Sequence, residues 1–262
     1  MPRPTQARGV SSDATQLAAW YASVPVITRT LVTATVATTL AARLYLVSPY
    51  LLGLYWPPIW NRFQIWRLVT GFLVHKSHIH FFNIMFMFIM LYQYTIDLER
   101  GEFAGRGADF AWFIVFCMST MSGLAWLTST ISLAEGVLLT VITLWSLHRQ
   151  EQIVSFYFGF KFPARYFPYA IIALEFVLDH GSIPYAMVYG WVAAHLYYYL
   201  SVDLPSQGGL NYIPTPQLFY RYIGQVRRAN AQTTTSGTAT TTNLYHQRPG
   251  GGHFWGTGRT IG

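Results

Sequence analysis

The sequence predicts an all-α, polytopic membrane protein with six transmembrane helices, and three observations indicate this fold class. Hydrophobic residues make up 52% of the 262 residues and charged residues only 10%, whereas soluble domains carry about 25% charged residues. Aromatic residues reach 17%, which suits a protein whose side chains meet two membrane interfaces. Six apolar segments follow one another along the chain, with short polar stretches between them.

The six segments make up a predicted membrane domain of residues 21–204, which follows a polar N-terminal segment of residues 1–20. The fifth segment is shorter than the roughly 20 residues that cross a bilayer. Only Ser129 and Thr130 separate the third from the fourth, which allows a tight hairpin. The segments are Val24–Val47, Ile79–Leu98, Phe110–Thr128, Ile131–Leu147, Tyr166–Leu178 and Ile183–Val202.

The distribution of Lys and Arg predicts the orientation of the chain. With six spans, both termini and the even-numbered loops share one side, which holds 12 Lys or Arg residues, while the other side holds 4. Cytosolic loops are enriched in Lys and Arg, so both termini are predicted to be cytosolic. The net charge of +7 is explained by this orientation and does not predict nucleic-acid binding.

The first loop, residues 44–78, is rich in Trp, Tyr and Pro and is predicted to lie in the membrane interface. Beyond the membrane domain we expect a post-membrane segment, residues 205–224, and a flexible linker, residues 225–248. The linker contains the low-complexity stretch AQTTTSGTATTTN, which cannot bury a core. Residues 249–262 contain an aromatic pair flanked by glycines, which is typical of a short linear motif.

Several stretches of the chain resemble the Derlin family, the pseudoprotease branch of the rhomboid-like superfamily, over about residues 17–224. The resemblance implies a six-helix rhomboid-like bundle in the membrane of the endoplasmic reticulum. It further implies that the chain binds misfolded lumenal and membrane proteins and helps to move them to the cytosol, with an ER ubiquitin ligase complex as a possible partner. The stretches are FQIWRLVTGF, LYQYTIDLERGEFAGRGADF, IVSFYFGFKFPARYFP, GWVAAHLYYYL and TPQLFYRY.

The terminal HFWGTGRTIG resembles the SHP box through which many Derlins bind a hexameric AAA ATPase, valosin-containing protein. The usual box ends in Arg-Leu-Gly, whereas here Thr260 stands between Arg259 and Ile261. The resemblance implies that this tail recruits the ATPase. The residues that carry the implied contact are Phe254, Trp255, Gly256, Gly258, Arg259 and Ile261.

The chain is predicted not to be an enzyme, because it lacks the nucleophile motif of the proteases that it resembles. Rhomboid proteases place a serine in a Gly-x-Ser-Gly setting at the start of the fourth helix, with a histidine in the sixth helix as its base. Here the fourth segment opens with ISLAEGVLLT, so Ser132 lacks the glycines. His195 follows Ala194 as in the proteases, but a base without a nucleophile cannot catalyse acyl transfer.

The other rhomboid-like positions are interpreted as relics. His75, His80 and Asn83 resemble the protease series that helps to form the oxyanion site, but Asn83 comes one residue early. One residue rotates a helical side chain by about 100°. The histidines of this stretch, with His78, are predicted to be solvated at the lumenal interface rather than to bind zinc, so no metal or cofactor is expected.

The remaining polar and small residues have structural interpretations. Gly190 and Ala194 form a small-xxx-small pair that allows close helix packing. In the Trp66-Arg67 pair, the arginine is expected to bond loop carbonyls and lipid phosphates while the tryptophan anchors at headgroup depth. Acidic residues occur within two of the apolar segments. In one interpretation their side chains are protonated or face the lumen, and in the other they line a water-filled lateral cavity. They are Glu135 and Glu175.

Two rival functions remain open from the sequence alone. An active intramembrane serine protease would be labelled by a serine-reactive probe, and replacement of His195 would abolish the labelling. A channel or transporter would conduct solute in proteoliposomes that contain this chain alone, as the polar groups inside the bundle suggest.

Overall fold

The computed structural model describes residues 10–75, 81–155, 159–208 and 212–223. Internal contacts divide the chain into two units, Met1–Ile223 and Gly224–Gly262, and the described residues belong to the first. The prediction of a mostly helical chain is confirmed. The helices are α1 (Val10–Ser23), α2 (Val26–Arg43), α3 (Pro49–Leu52), α4 (Trp56–Arg62), α5 (Arg67–Thr70), α6 (Phe81–Arg100), α7 (Gly107–Thr128), α8 (Ala134–His148), α9 (Phe167–Leu178), α10 (Tyr185–Tyr198) and α11 (Leu204–Ser206).

Six of these helices, α2 and α6 to α10, coincide with the six predicted segments. By length and hydropathy, α7 is the one helix in the described ranges that qualifies as a membrane span, and α8 is an apolar helix of 15 residues. The count of six spans therefore stays a prediction. The fifth helix is as short as its sequence indicates, with 12 residues.

Two elements differ from the sequence-based expectation. Helix α1 runs through the boundary that the sequence places between residues 20 and 21, and Tyr21 bonds Thr33 of α2 through its hydroxyl, at 2.8 Å. A two-stranded antiparallel sheet lies between α8 and α9, so the fold is not purely α. Its strands are β1 (Ile153–Ser155) and β2 (Lys161–Pro163). Strands of three residues are too short to show an alternating pattern.

Helix α8 is the centre of the bundle. Thirteen of its 15 residues are buried, which is expected of a helix that is hydrophobic on all sides and has neighbours all around it. Helices α6, α7, α9 and α10 each pack against it. The described part of the chain is thus organised around the fourth predicted segment.

The first loop folds back onto the segment that precedes α8. It contains the three short helices α3, α4 and α5, and two backbone bonds tie it to residues 131–133. Leu54 N–H donates to the Ile131 carbonyl at 2.8 Å, and Leu133 N–H donates to the Gly71 carbonyl at 2.9 Å. Residues 44–75 of this loop are therefore part of the fold and shape one end of the bundle.

Candidate functional site

Arg67 holds the first loop together from inside. Its side chain is 1% exposed, and Nη1 donates to the carbonyl oxygens of Tyr50 at 2.5 Å and Gly53 at 2.9 Å. Nε donates to the side-chain oxygen of Gln64 at 2.7 Å, and the guanidinium lies 5.4 Å from the Tyr50 ring centre. Charge-assisted bonds to carbonyls stabilise a loop of this kind. The expectation of bonds to lipid phosphates is not met, because a buried guanidinium cannot reach them, whereas Trp66 is exposed.

His75 is buried, which corrects the prediction that it is solvated at an interface. Its side chain is 5% exposed, its ring meets the Phe88 ring edge-on at 5.3 Å, and Nδ1 lies 3.4 Å from the Thr39 hydroxyl. Burial, with the nearby charge of Arg43, lowers the pKa of His75 to about 4. The imidazole is therefore neutral at physiological pH. His78 and His80 lie outside the described residues.

Ser132 and His195 are not arranged as a nucleophile and its base. The Ser132 hydroxyl donates to the Val74 carbonyl at 2.7 Å. His195 Nδ1 bonds the carbonyl of Trp191, one turn earlier in α10, at 3.0 Å, and its ring is tilted against the Trp191 ring, with 4.5 Å between the ring centres. A serine activated for acyl transfer gives its proton to a base. Here the serine proton is held by a backbone carbonyl of the first loop.

Asn83 lines a cleft between α6 and α9 rather than a site beside Ser132. The cleft is mostly apolar, and its second polar residue is Glu175, which is buried on α9. Glu135, the other acidic residue noted in the sequence, is buried at the start of α8. Because a carboxylate in an apolar setting is costly, a buried acidic residue beside a cleft is typical of a functional surface. The remaining lining residues are Phe86, Met87, Met90, Leu138, Ile171, Leu174 and Met187.

Gly190 packs directly on the backbone of α8. A Cβ built on Gly190 would overlap the carbonyl oxygen of Gly136, and a Cβ built on Gly136 would overlap the carbonyl oxygen of Ala186. Thr140 donates its hydroxyl to the carbonyls of Gly136 and Gly190, at 2.8 and 3.2 Å. Small residues allow such close approach of two helices in a bilayer. Ala194 is buried on the same helix.

The chemistry-bearing groups of the described chain do not form a metal centre. No group of three or more His, Cys, Asp and Glu side chains within the described ranges could hold a metal ion. The buried Cys117 is enclosed by the core. Several of the polar residues instead form hydrogen bonds that connect one helix or loop to another.

Three acidic residues that the sequence analysis did not single out make such ties at one end of the bundle. Asp97 pairs with Arg149 and accepts a bond of 2.6 Å from the Trp145 indole, which joins α6 to the end of α8. Glu99 accepts bonds from the backbone N–H groups of Ile27 and Thr28, at 3.0 and 2.7 Å. Both carboxylates lie in the stretch LYQYTIDLERGEFAGRGADF, but a sequence does not reveal their partners.

Asp109, the third of them, anchors residues 212–223, which come after α11. It accepts hydrogen bonds from the hydroxyls of Thr215, at 2.7 Å, and Tyr220. The Phe219 ring meets the Trp112 ring at 5.4 Å on the same side of α7. The stretch TPQLFYRY is thereby fixed to the start of the third predicted span. The predicted tail residues Phe254, Trp255, Gly256, Gly258, Arg259 and Ile261 lie outside the described residues.

Comparison with known proteins identifies a matching family and several similar proteins. The sequence model of the Der1-like family matches residues 24–217. Human Derlin-1 is 34% identical over 254 residues, which cover 93% of this chain and 97% of the relative. Derlin-1 of Caenorhabditis elegans is 29% identical over 76% of the chain and 81% of its own length, and Derlin-1.2 of Zea mays is 28% identical over 82% and 88%.

Proposed function

The chain belongs to the Der1-like family, and on this premise we propose that it is a non-catalytic membrane protein that helps misfolded proteins to leave the endoplasmic reticulum. It crosses the membrane six times, with both termini in the cytosol. It binds misfolded lumenal and membrane proteins, and its tail recruits a hexameric AAA ATPase of the valosin-containing protein type that supplies the pulling force. An ER ubiquitin ligase complex acts beside it.

Family membership over most of the chain is the observation that carries this proposal. The bonding of Ser132 to a loop carbonyl and of His195 to its own helix supports the non-catalytic part. A serine without an adjacent base is a poor nucleophile. The sequence Ser-Leu-Ala-Glu-Gly at residues 132–136 also replaces the Gly-x-Ser-Gly setting of the rhomboid proteases.

The short α9 supports a local thinning of the bilayer. Its 12 residues extend about 18 Å along the helix axis, whereas the hydrocarbon core is about 30 Å thick. A span that is too short draws the bilayer inward around it. A thinner bilayer lowers the barrier for a polar polypeptide, because less hydrocarbon must be crossed.

The first test of this function is a pull-down of the AAA ATPase by the purified chain. The intact chain is compared with a chain truncated after Arg248 and with a Trp255→Ala variant, since a buried tryptophan typically dominates a small interface. Tyr245→Ala, in the predicted linker, is the matched control. We expect the intact chain and the control to retain the ATPase, and the truncated chain and Trp255→Ala to lose it.

Binding that survives truncation, or that is absent from the intact chain, would contradict ATPase recruitment by the tail. The broader proposal is tested separately in cells, by the half-life of misfolded membrane substrates. Deletion of the gene is expected to prolong their half-lives, and unchanged half-lives would count against a role in their removal. Labelling of Ser132 by a serine-reactive probe would overturn the non-catalytic part.

A further inference from the structure

The hairpin of β1 and β2 has two chemically different faces. Val154 and Phe162 are direct partners across the ladder, and both pack against the core. Side chains alternate between the two faces of a strand. The pairs on either side, Ile153 with Pro163 and Ser155 with Lys161, therefore share the opposite face, which points away from the core.

The exposed part of the hairpin and its flank combines apolar side chains with a cation. Ile153 is 69% exposed, and Phe160, which directly precedes β2, is 68% exposed. Lys161 lies next to Phe160 and is also exposed. A single exposed hydrophobic residue needs no explanation, but an apolar group rimmed by charge indicates an interaction surface.

Exposed side chains continue along the sequence from the hairpin into α9. Tyr166, which directly precedes the helix, and Tyr169, Ala173 and Val177 within it are all exposed, and their spacing of three and four residues places them on one side. The guanidinium of Arg165 lies 4.9 Å from the centre of the Tyr166 ring. A tyrosine with a stacked cation at the end of an apolar stripe is typical of the boundary between hydrocarbon and headgroups.

We propose that the hairpin is an interfacial anchor, in which Ile153 and Phe160 insert at headgroup depth and Lys161 and Arg165 bind the phosphates of anionic lipids. The inference rests on the proposed function only for its membrane topology, which places the hairpin between two spans on the cytosolic side. The cytosolic leaflet carries negative charge, which attracts cations near its surface. The partner is therefore a lipid surface.

The one described carboxylate near these cations does not prevent this interaction. Glu151 lies 4.0 Å from Arg165, and both side chains are largely exposed. Ion pairs of this kind contribute little to stability. Arg165 can therefore exchange Glu151 for a lipid phosphate without a large free-energy cost.

The depth of the hairpin in a bilayer tests the proposal. A nitroxide is attached at Phe160→Cys in a chain that carries Cys117→Ala, because Cys117 is the single native cysteine. The labelled chain is placed in nanodiscs of phosphatidylcholine, alone or mixed with phosphatidylserine. The rate at which the label collides with oxygen, which concentrates in the bilayer, is compared with the rate at which it collides with a water-soluble nickel chelate. A label at Gln207→Cys provides the reference rates.

We expect the label at position 160 to collide more with oxygen and less with the chelate than the label at position 207. We also expect the label at position 160 to move deeper when phosphatidylserine is present. In a Lys161→Gln and Arg165→Gln chain this dependence on lipid charge is expected to be lost. Arg221→Gln, which removes a charge from an exposed position outside the hairpin, is expected to keep it.

Two results would overturn the proposal. If position 160 collides with the chelate as often as position 207 in both lipids, the hairpin lies in water and its apolar face serves another kind of partner. If the depth of the label at position 160 is the same with and without phosphatidylserine in the chain that keeps Lys161 and Arg165, the hairpin does not bind anionic headgroups. Neither result depends on the ATPase or on misfolded substrates, so failure here is distinguishable from failure of the proposed function.

Discussion

Two glycines set the distance between α8 and α10 at the residue scale. The backbones of Gly136 and Gly190 touch, so neither position has room for a methyl group. Overpacking of a tight core typically costs about 1–3 kcal/mol, and the cost is highest where the neighbour is backbone that cannot move aside. Glycine is thus the one residue type that fits at these two positions.

We therefore expect Gly190→Ala and Gly136→Ala each to destabilise the fold by about 3 kcal/mol. Gly123→Ala is the matched control, because it also lies in a helix and its Cβ would meet nothing within 4 Å. Thermal unfolding of the purified chains in the same detergent measures the difference. Equal melting temperatures for Gly190→Ala and Gly123→Ala would show that α10 does not approach α8 so closely.

A second prediction at this scale concerns His75, whose pKa is lowered from 6.5 to about 4 in the folded chain. The unfolded chain then binds the proton more tightly, so stability is highest above pH 6.5 and falls as the pH drops from 6.5 towards 4. A shift of this size corresponds to about 3 kcal/mol. We expect His75→Phe, which keeps an aromatic ring beside Phe88, to show a smaller loss of stability over this range.

The measurement is the melting temperature at pH 7.5 and at steps down to pH 4.5, for the native chain and for His75→Phe. His148→Phe is the control, because His148 is a histidine that is only partly buried and bonds a backbone carbonyl. The same pH dependence in all three chains would contradict the assignment of the loss to His75.

The sequence predicted some residue roles and not others, for physical reasons. The small-xxx-small spacing at Gly190 indicated close packing, but a spacing on one helix does not identify Gly136 as its partner. The prediction for His75 was wrong because it was based on neighbouring residues. Burial comes instead from Thr39 and Phe88, which the fold brings from two other helices. Local sequence carries no information about such distant contacts.

At the scale of elements, Glu99 caps the beginning of α2. The residue that precedes the helix is Pro25, which provides no side-chain cap. The carboxylate of Glu99 instead accepts the N–H groups of Ile27 and Thr28 and the Thr28 hydroxyl. A negative charge at a helix N-terminus satisfies orphan donors and interacts favourably with the helix dipole.

Removal of this cap should weaken the attachment of α2 to α6. Glu99→Ala is expected to cost about 1–2 kcal/mol, and hydrogen exchange at residues 26–29 should accelerate. Glu151→Ala removes a carboxylate that is largely exposed and should leave both properties unchanged. If exchange at the start of α2 were equal in the two variants, the carboxylate would not be acting as a cap.

Helices were predicted better than the hairpin because their signal is longer. The fifth predicted segment and α9 differ by one residue at the beginning and share their end at Leu178. The two strands contribute three residues each, and within IVSFYFGFKF almost every residue is apolar or aromatic. A continuous apolar run does not separate a strand from a helix by period.

On the scale of the whole molecule, Asp109 joins the end of the folded unit to its middle. The carboxylate of α7 receives the hydroxyls of Thr215 and Tyr220, more than a hundred residues later in the sequence. This tie places residues 212–223 against the start of α7, whatever follows them.

We expect Tyr220→Phe and Asp109→Asn to loosen residues 212–223 without unfolding the helices. Loss of a hydrogen bond to a charged group costs about 1.5–3 kcal/mol, and residues 212–223 are mostly exposed, so little other burial holds them in place. Limited proteolysis after Arg221 measures the release. Tyr222→Phe, at a position that is 66% exposed, is the matched control and should be cleaved at the native rate.

Equal cleavage of Tyr220→Phe and Tyr222→Phe would show that the Asp109 contact does not hold the segment.

The resemblance to a known family identified TPQLFYRY in the sequence, but it did not indicate which residues this stretch contacts. The partner became visible only with the fold, because Asp109 lies at the start of α7, more than a hundred residues earlier in the sequence.

The cap on α2 also has a consequence for the time at which the protein is made. The carboxylate that completes the start of this helix is synthesised 71 residues after Thr28. At ordinary translation rates of about 5–20 residues per second, the ribosome needs about 4–14 s to add them. During that interval α2 exists without the carboxylate that accepts its first hydrogen bonds, and the N–H groups at its start require water or another protein. A pause in translation between these two residues would lengthen the time for which the start of α2 lacks its cap.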